Sequence, residues 1–361
     1  MRHIEQIQVL RALAALAIVI HHGIYEAVAF AAAGGAAFVP PRLLPWPAGV
    51  DLFFVISGFV MVYASRNLFG TRDGPKHFLW RRIARIVPLY WSTTALVLLA
   101  DLLIPGAVRG AEPSLAMALA SFAFIPFMRP DGVAQPLYSL GWTLNYEMFF
   151  YVVFALFLPF SRPFAVAGVA AVLVALCGFG LLAQPAGTVL AFWSAPIILL
   201  FAAGMGIAML RMAGASLPSW LRLSLAAAAL MLLALDPFDR MRNPLDIVQT
   251  LDFTRVAAWG IPAALLVAAA ALGRQEGRAE QKSSAFWSGL VALGEASYAL
   301  YLVHPFVFRP VREALLRLGL APVIGPWPYL ALVVICASFA SLIVHWLAER
   351  PITTYLQTRF A

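Results

Sequence analysis

Ten apolar runs follow one another along this sequence, at roughly 7 to 27, 48 to 65, 86 to 104, 139 to 160, 164 to 183, 189 to 210, 219 to 236, 254 to 273, 289 to 308 and 328 to 348. A helix needs about 20 apolar residues to cross a hydrocarbon core of about 30 Å. Inside lipid the backbone must satisfy its own hydrogen bonds, so runs of this length predict an all-α fold, a polytopic bundle of about ten transmembrane helices. Composition agrees: 62% of the 361 residues are hydrophobic and 12% charged, against about 45–50% and about 25% in an ordinary soluble domain. An eleventh run, "SLAMALASFAFIPF" at 114 to 127, is short for a span and reads as a re-entrant or interfacial segment.

The cations choose between ten crossings and eleven. With ten crossings and a cytoplasmic N-terminus, Arg66, Arg72, Lys76, Arg81, Arg82, Arg85, Arg162, Arg211, Arg274, Arg278, Lys282, Arg350 and Arg359 all fall inside, and the acid-containing "DPFDRMRNPLD" falls outside. An eleventh crossing flips every later loop against the excess of Lys and Arg expected on the cytoplasmic side. Both termini inside is therefore the expectation. Arg309, Arg312 and Arg317, which this orientation leaves outside, run against it.

The formal charge of +8 would point to nucleic acid in a soluble protein, but here the arginines sit in short loops where they set topology. Nucleic acid is not expected as a partner. Cys177 and Cys336 stand singly in apolar runs, which indicates neither a disulfide framework nor a metal site. The first run keeps Arg and His within its apolar core, so an uncleaved helix is expected rather than a signal peptide. No stretch between the runs is long enough for a soluble domain. Residues 1–361 therefore read as a single membrane-embedded domain, whose chemistry must lie in or beside the bundle.

An ionisable side chain inside a bilayer is expensive, about +2.5 to +3.5 kcal/mol for a central Arg on insertion scales, and needs a reason. In "RALAALAIVIHH" Arg11 and His22 are eleven residues apart, which on an α-helix leaves them within about 20° of one another and about 16 Å apart along the axis. His21 points well away from that face. Taken singly, Arg11 could snorkel to the interface. As a pair on one face, Arg11 and His22 point to function. "GVDLFFVISGF" opens a span with Asp51, which either caps the helix N-terminus or orients His22. Ser57 and Gly58 in the same span permit close helix packing.

"RRIARIVPLYW" places Arg82 and Arg85 at i and i+3, one basic ledge at the cytoplasmic edge. It is either an orientation anchor or a phosphate-binding surface suited to guanidinium geometry. "LGWTLNYEMFFY" buries Glu147 about two turns below the outer end of its run, close after Trp142, and such a carboxylate requires a partner. In "GEASYALYLVHPF", Ser297, Tyr301 and His304 form a polar stripe at i, i+4 and i+7, which either holds helices together or lines a cavity. With so many such motifs in one chain, a shared cavity that includes Trp142 is the simpler account.

The ordered set "IQVLRALAALAIVIHH", "GVDLFFVISGFVM", "RRIARIVPLYW", "LGWTLNYEMFFY" and "SYALYLVHP" resembles acyltransferase family 3, the membrane O-acyltransferases, over essentially the whole chain. Within that family it is most similar to the exopolysaccharide O-acetyltransferase branch. The resemblance implies transfer of an acyl group, acetyl by preference, from cytoplasmic acyl-CoA to a hydroxyl of a cell-surface or exported polysaccharide or lipid-linked sugar, in the bacterial inner membrane. No metal is implied. Arg11 and His22 match the family's first-helix Arg and His, Arg82 and Arg85 its paired arginines, and Glu147 the acid after its Trp. His22 would act as general base, with Asp51 or Glu147 fixing its tautomer. Arg82 and Arg85 would hold CoA phosphates, and Arg11 would orient the donor. Members with an added esterase domain are much longer, so that variant is not expected. A reading from another class treats Arg11, Glu147 and His304 as the relay of a proton- or ion-coupled transporter, against which stands the lack of an inverted repeat in the sequence.

Overall fold

The computed structural model describes residues 4–40, 44–104, 114–238, 252–273 and 284–360. Within them the chain is helical, and β structure is limited to one isolated bridge between Met128 and Ala134. In chain order the principal helices are α1 (Glu5–Ala33), α2 (Trp46–Ala64), α3 (Gly74–Leu103), α4 (Leu115–Phe122), α5 (Ser139–Phe157), α6 (Arg162–Ala183), α7 (Pro196–Met212), α8 (Ser219–Leu235), α9 (Phe253–Ala271), α10 (Ala285–Glu295), α11 (Ser297–Arg317) and α12 (Pro326–Arg359). Among the described residues seven of these are long and apolar enough to cross a membrane, namely α1, α2, α3, α5, α6, α9 and α12. The bent pair α10 and α11 makes an eighth, while α7 and α8 are apolar but shorter. The polytopic helical bundle read from the apolar runs is thus what forms. "DPFDRMRNPLD" after Phe238, together with Arg274, Arg278 and Lys282, lies outside the described residues.

Two elements differ in shape from their runs. The run 289 to 308 reads as one straight helix, yet the chain bends by 81° between α10 and α11. α10 lies against α1, where Gly294 touches the backbone of Gln8, whereas α11 turns away to pack between α1 and α12. Ser297 therefore opens a helix of its own, and the Ser297, Tyr301, His304 stripe belongs wholly to α11. α3, expected from residue 86, is a 30-residue helix that starts at Gly74, so Arg82 and Arg85 are helical and share a face. The segment at 114 to 127 forms only the eight-residue α4, about 12 Å of helix, which is too short to cross.

α1 is the central post of the bundle, packed against α2, α10, α11 and α12. α2 and α7 meet closely because each offers a glycine to the other. A methyl group at Gly58 would run into the carbonyl oxygen of Phe201, and one at Gly204 into that of Val55. Small residues permit this approach where water supplies no hydrophobic force between helices. Gly58 plays the packing role read from the sequence, whereas Ser57 faces a cavity.

Arg312, one of the cations that opposed the expected orientation, is not a free charge. Its guanidinium meets the Glu26 carboxylate of α1 at 2.6 Å and that of Glu313 at 3.3 Å.

Candidate active site

α1, α2, α3, α5 and α11 enclose a cavity of about 110 Å³. Its polar lining comes from Arg11 of α1, Ser57 of α2, Arg82 and Arg85 of α3, Thr143, Glu147 and Tyr151 of α5, and Ser297, Tyr298 and Tyr301 of α11. Phe53, Phe54, Ile56, Val60 and Leu144 supply apolar wall. Three guanidinium groups against one carboxylate give the chamber an excess of positive charge inside apolar surroundings, which favours an anionic ligand.

Helix periodicity sets this lining. Arg82 and Arg85 are one turn apart on α3, Thr143, Glu147 and Tyr151 recur at four-residue steps on α5, and Ser297 and Tyr301 do the same on α11. Arg11 is held in place by hydrogen bonds from its guanidinium to Gln8 Oε1 and to Ser297 Oγ, each 2.9 Å. Glu147 finds the partner its burial demands in Tyr151, whose hydroxyl donates to Oε2 at 2.9 Å. The Arg82 guanidinium lies 5.5 Å from the centre of the Phe78 ring, and its Nε is buried without a hydrogen-bond partner. Tyr301 donates to the Leu140 carbonyl at 2.8 Å and accepts from Thr143 Oγ1 at 3.0 Å, fastening α11 to α5 at the chamber wall.

His22 and His304 are not part of that lining. They pair with one another beside it, His22 Nδ1 standing 2.9 Å from His304 Nε2. His304 is one turn beyond Tyr301 on α11, about 4.5 Å further along the axis, so the pair sits next to the Tyr301 wall. Arg11 to Ser297 and His22 to His304 are two rungs of one ladder, which fixes α1 and α11 as parallel neighbours. The shared face of Arg11 and His22 is thereby realised: both reach α11. His21 instead sets its ring edge-on to Tyr25, with centroids 5.0 Å apart.

Four expected placements change. Asp51 does not orient His22, and it makes no N-terminal cap either. Its carboxylate takes two hydrogen bonds from Arg255 of α9, Nε to Oδ1 at 3.1 Å and Nη2 to Oδ2 at 2.8 Å, and a buried carboxylate prefers a two-point guanidinium to a neutral imidazole. Glu147 is spent on Tyr151, so the hydrogen-bond partner of His22 is an imidazole and not an acid. Trp142 lies outside the cavity lining, its ring wedged edge-on against Phe54 and Tyr146. His304, expected in the cavity, stands behind it for the reason just given.

Arg255 is the main residue that the sequence reading passed over. It opens an apolar run as Asp51 does, and an acid and a base each at the head of a different run are the available signal for a pair. The guanidinium also lies over the Trp259 ring, 4.8 Å from its centre. Tyr151 and Thr143 were likewise visible, at i+4 and i−4 from Glu147.

A family model described as an acyltransferase domain, that of acyltransferase family 3, matches residues 4–346. The chain belongs to this family. It is similar to the exopolysaccharide production protein ExoZ of Rhizobium meliloti (strain 1021), 32% identical over 318 residues that cover 84% of this chain and 89% of that one. It is also similar to the acyltransferase MdmB of Streptomyces mycarofaciens, 29% identical over 285 residues, 72% of this chain and 67% of that one. No solved structure matches it. Membership makes the chain a membrane-embedded acyltransferase and sets the transporter reading aside.

Proposed function

We propose that the protein transfers an acetyl group from cytoplasmic acetyl-CoA to a hydroxyl of an exported polysaccharide or lipid-linked sugar, in the bacterial inner membrane. The observation that carries this reading is the chamber itself, where Arg11, Arg82 and Arg85 gather around apolar wall next to a paired imidazole. Arg82 and Arg85 grip the phosphates of CoA, because planar guanidinium groups at one helical turn suit a diphosphate. Arg11, braced by Gln8 and Ser297, orients the thioester end. The similarity to a protein of exopolysaccharide production supports a sugar acceptor.

A sugar hydroxyl is a weak nucleophile and needs a base within hydrogen-bond reach; a neutral imidazole has the suitable affinity for the proton. His22 removes the hydroxyl proton as the oxygen attacks the thioester carbonyl. A C–O bond forms, the C–S bond breaks, and the imidazolium returns its proton to the departing thiolate. The products are the O-acetyl sugar and CoA with its thiol restored. Transfer is direct, with no acyl-enzyme.

Ten crossings with both termini in the cytoplasm fit this division of labour. α7, α8 and the α10/α11 pair then cross along with the seven long helices. Arg11, Arg82 and Arg85 face the donor side, and His22 lies toward the outer half where the acceptor arrives. The whole chain works as one membrane-embedded domain. Purified protein given labelled acetyl-CoA tests the function: CoA release that requires added carbohydrate supports it, and release indifferent to carbohydrate rejects it.

A further inference from the structure

We infer that His304 is a positioning residue, which fixes His22 in the tautomer whose lone pair lies on Nε2. The inference rests on the reading of His22 as general base and adds what prepares it.

The proton positions follow from the partners. His304 Nδ1 lies 3.0 Å from the backbone carbonyl oxygen of Leu300, one turn back on α11. A carbonyl only accepts, so this nitrogen carries the hydrogen. A neutral imidazole has a single N–H, so His304 Nε2 must present a lone pair. The neighbour 2.9 Å from that lone pair is His22 Nδ1, which therefore donates. His22 then has its one hydrogen on Nδ1, and Nε2 is left bare as the basic atom. Chain order thus runs from a backbone carbonyl, through His304, to the lone pair on His22.

The surroundings hold the relay still. His304 is fully buried, the two rings are nearly parallel at 10°, and Phe308 meets His304 edge-on. Among the described residues, the one hydrogen bond that His304 Nε2 makes is with His22. The hydrogen on His22 Nδ1 also has a job after proton abstraction: the imidazolium spreads its charge toward an acceptor already in place. This is the service a carboxylate renders in a Ser-His-Asp triad, where a change that gives the wrong tautomer lowers kcat by about 10⁴-fold. An imidazole is a weaker acceptor than a carboxylate, so a smaller loss is expected here.

The test reads the tautomer directly. Protein labelled with ¹⁵N in its imidazole rings and held in lipid at neutral pH gives spectra in which His22 is assigned by its absence from His22→Ala. His22 should carry hydrogen on Nδ1 alone. In His304→Leu, Nε2–H should appear at His22, and kcat for acetyl transfer to a polysaccharide extract of the producing strain should fall about 10²- to 10³-fold, with KM for acetyl-CoA within about twofold. His304→Gln offers an amide oxygen where Nε2 stood, and should restore both the Nδ1–H signal and at least a tenth of the wild-type kcat. Nε2–H at His22 in the wild type, or an unchanged His22 tautomer in His304→Leu, would overturn the inference. Should the leucine variant fail to fold, the wild-type spectrum and the glutamine variant still decide. Full transfer by His22→Ala would instead remove the general-base reading, whatever tautomer the spectra show.

Discussion

Asp51 and Arg255, 204 positions apart in the chain, form a two-point ion pair with 0% and 1% of their side chains exposed. The pair bolts the N-terminal end of α2 to the start of α9, in a setting where neither charge has water to fall back on. It ties α2, one wall of the chamber, to α9.

Removing one member leaves the other charged and buried, which costs about 3–5 kcal/mol in proteins. Asp51→Leu and Arg255→Leu should each lower the unfolding midpoint in detergent sharply. The double variant should lose clearly less than the sum of the two, since apolar replacements of a buried pair are often tolerated. Additive losses in that double-mutant cycle would show that the two side chains do not depend on each other.

His22→Ala should reduce transfer by about 10²- to 10⁴-fold while acetyl-CoA still binds, as expected for loss of a general base. His21, turned about 100° away and packed on Tyr25, should tolerate alanine with no more than a few-fold change. Both variants need comparison at matched abundance, with binding and turnover measured on the same preparations. Equal damage from the two would place the chemistry elsewhere.

Arg82→Ala or Arg85→Ala should raise KM for acetyl-CoA more than it lowers kcat, because phosphate contacts distant from the reacting carbonyl act alike in ground and transition states. The cavity places both arginines on one wall. A folded double variant with normal donor affinity would reduce the two to orientation anchors.

Gly58→Ala and Gly204→Ala should both destabilise, since each added methyl meets backbone that cannot rotate aside. Overpacking typically costs about 1–3 kcal/mol and sometimes more. Thermal unfolding of the two variants checks this, and a midpoint equal to wild type would mean that α2 and α7 are less tightly joined than their glycines require.

With the two native cysteines replaced, a cysteine at Ala186, in the exposed turn after α6, should react with a membrane-impermeant maleimide from outside the cell. A cysteine at Ser216, in the turn after α7, should react only once the membrane is opened. The reverse pattern would invert the orientation and put the arginine wall on the wrong side for CoA.

The fold was legible because the length and apolarity of a run decide whether a helix can live in lipid, and both are local properties. The face of each helix was legible for the same reason: Arg11 with His22, Arg82 with Arg85, and Ser297 with Tyr301 share faces by periodicity alone. What periodicity omits is the neighbour on the other side of that face. Asp51 read as a helix cap or a partner of His22, and the partner it takes, Arg255, arrives from a helix six runs later. Trp142 and His304 were misplaced on the same account: on α5, Trp142 is turned about 100° from the lining residue Thr143, and on α11 one turn separates lining the chamber from standing behind it. The 81° bend at Ala296 was hidden because an apolar run reads the same whether the helix within it is straight or broken.

α1 also acts as a ruler. Eleven residues, just over three complete turns, separate Arg11 from His22, and both ends are engaged by the same neighbouring helix. A single inserted or deleted residue cannot be absorbed, because it would swing one end by about 100° relative to the other. The number of residues in this stretch therefore sets the register of Arg11 and His22, while Ala12, Ala15 and Val19 between them pack the core.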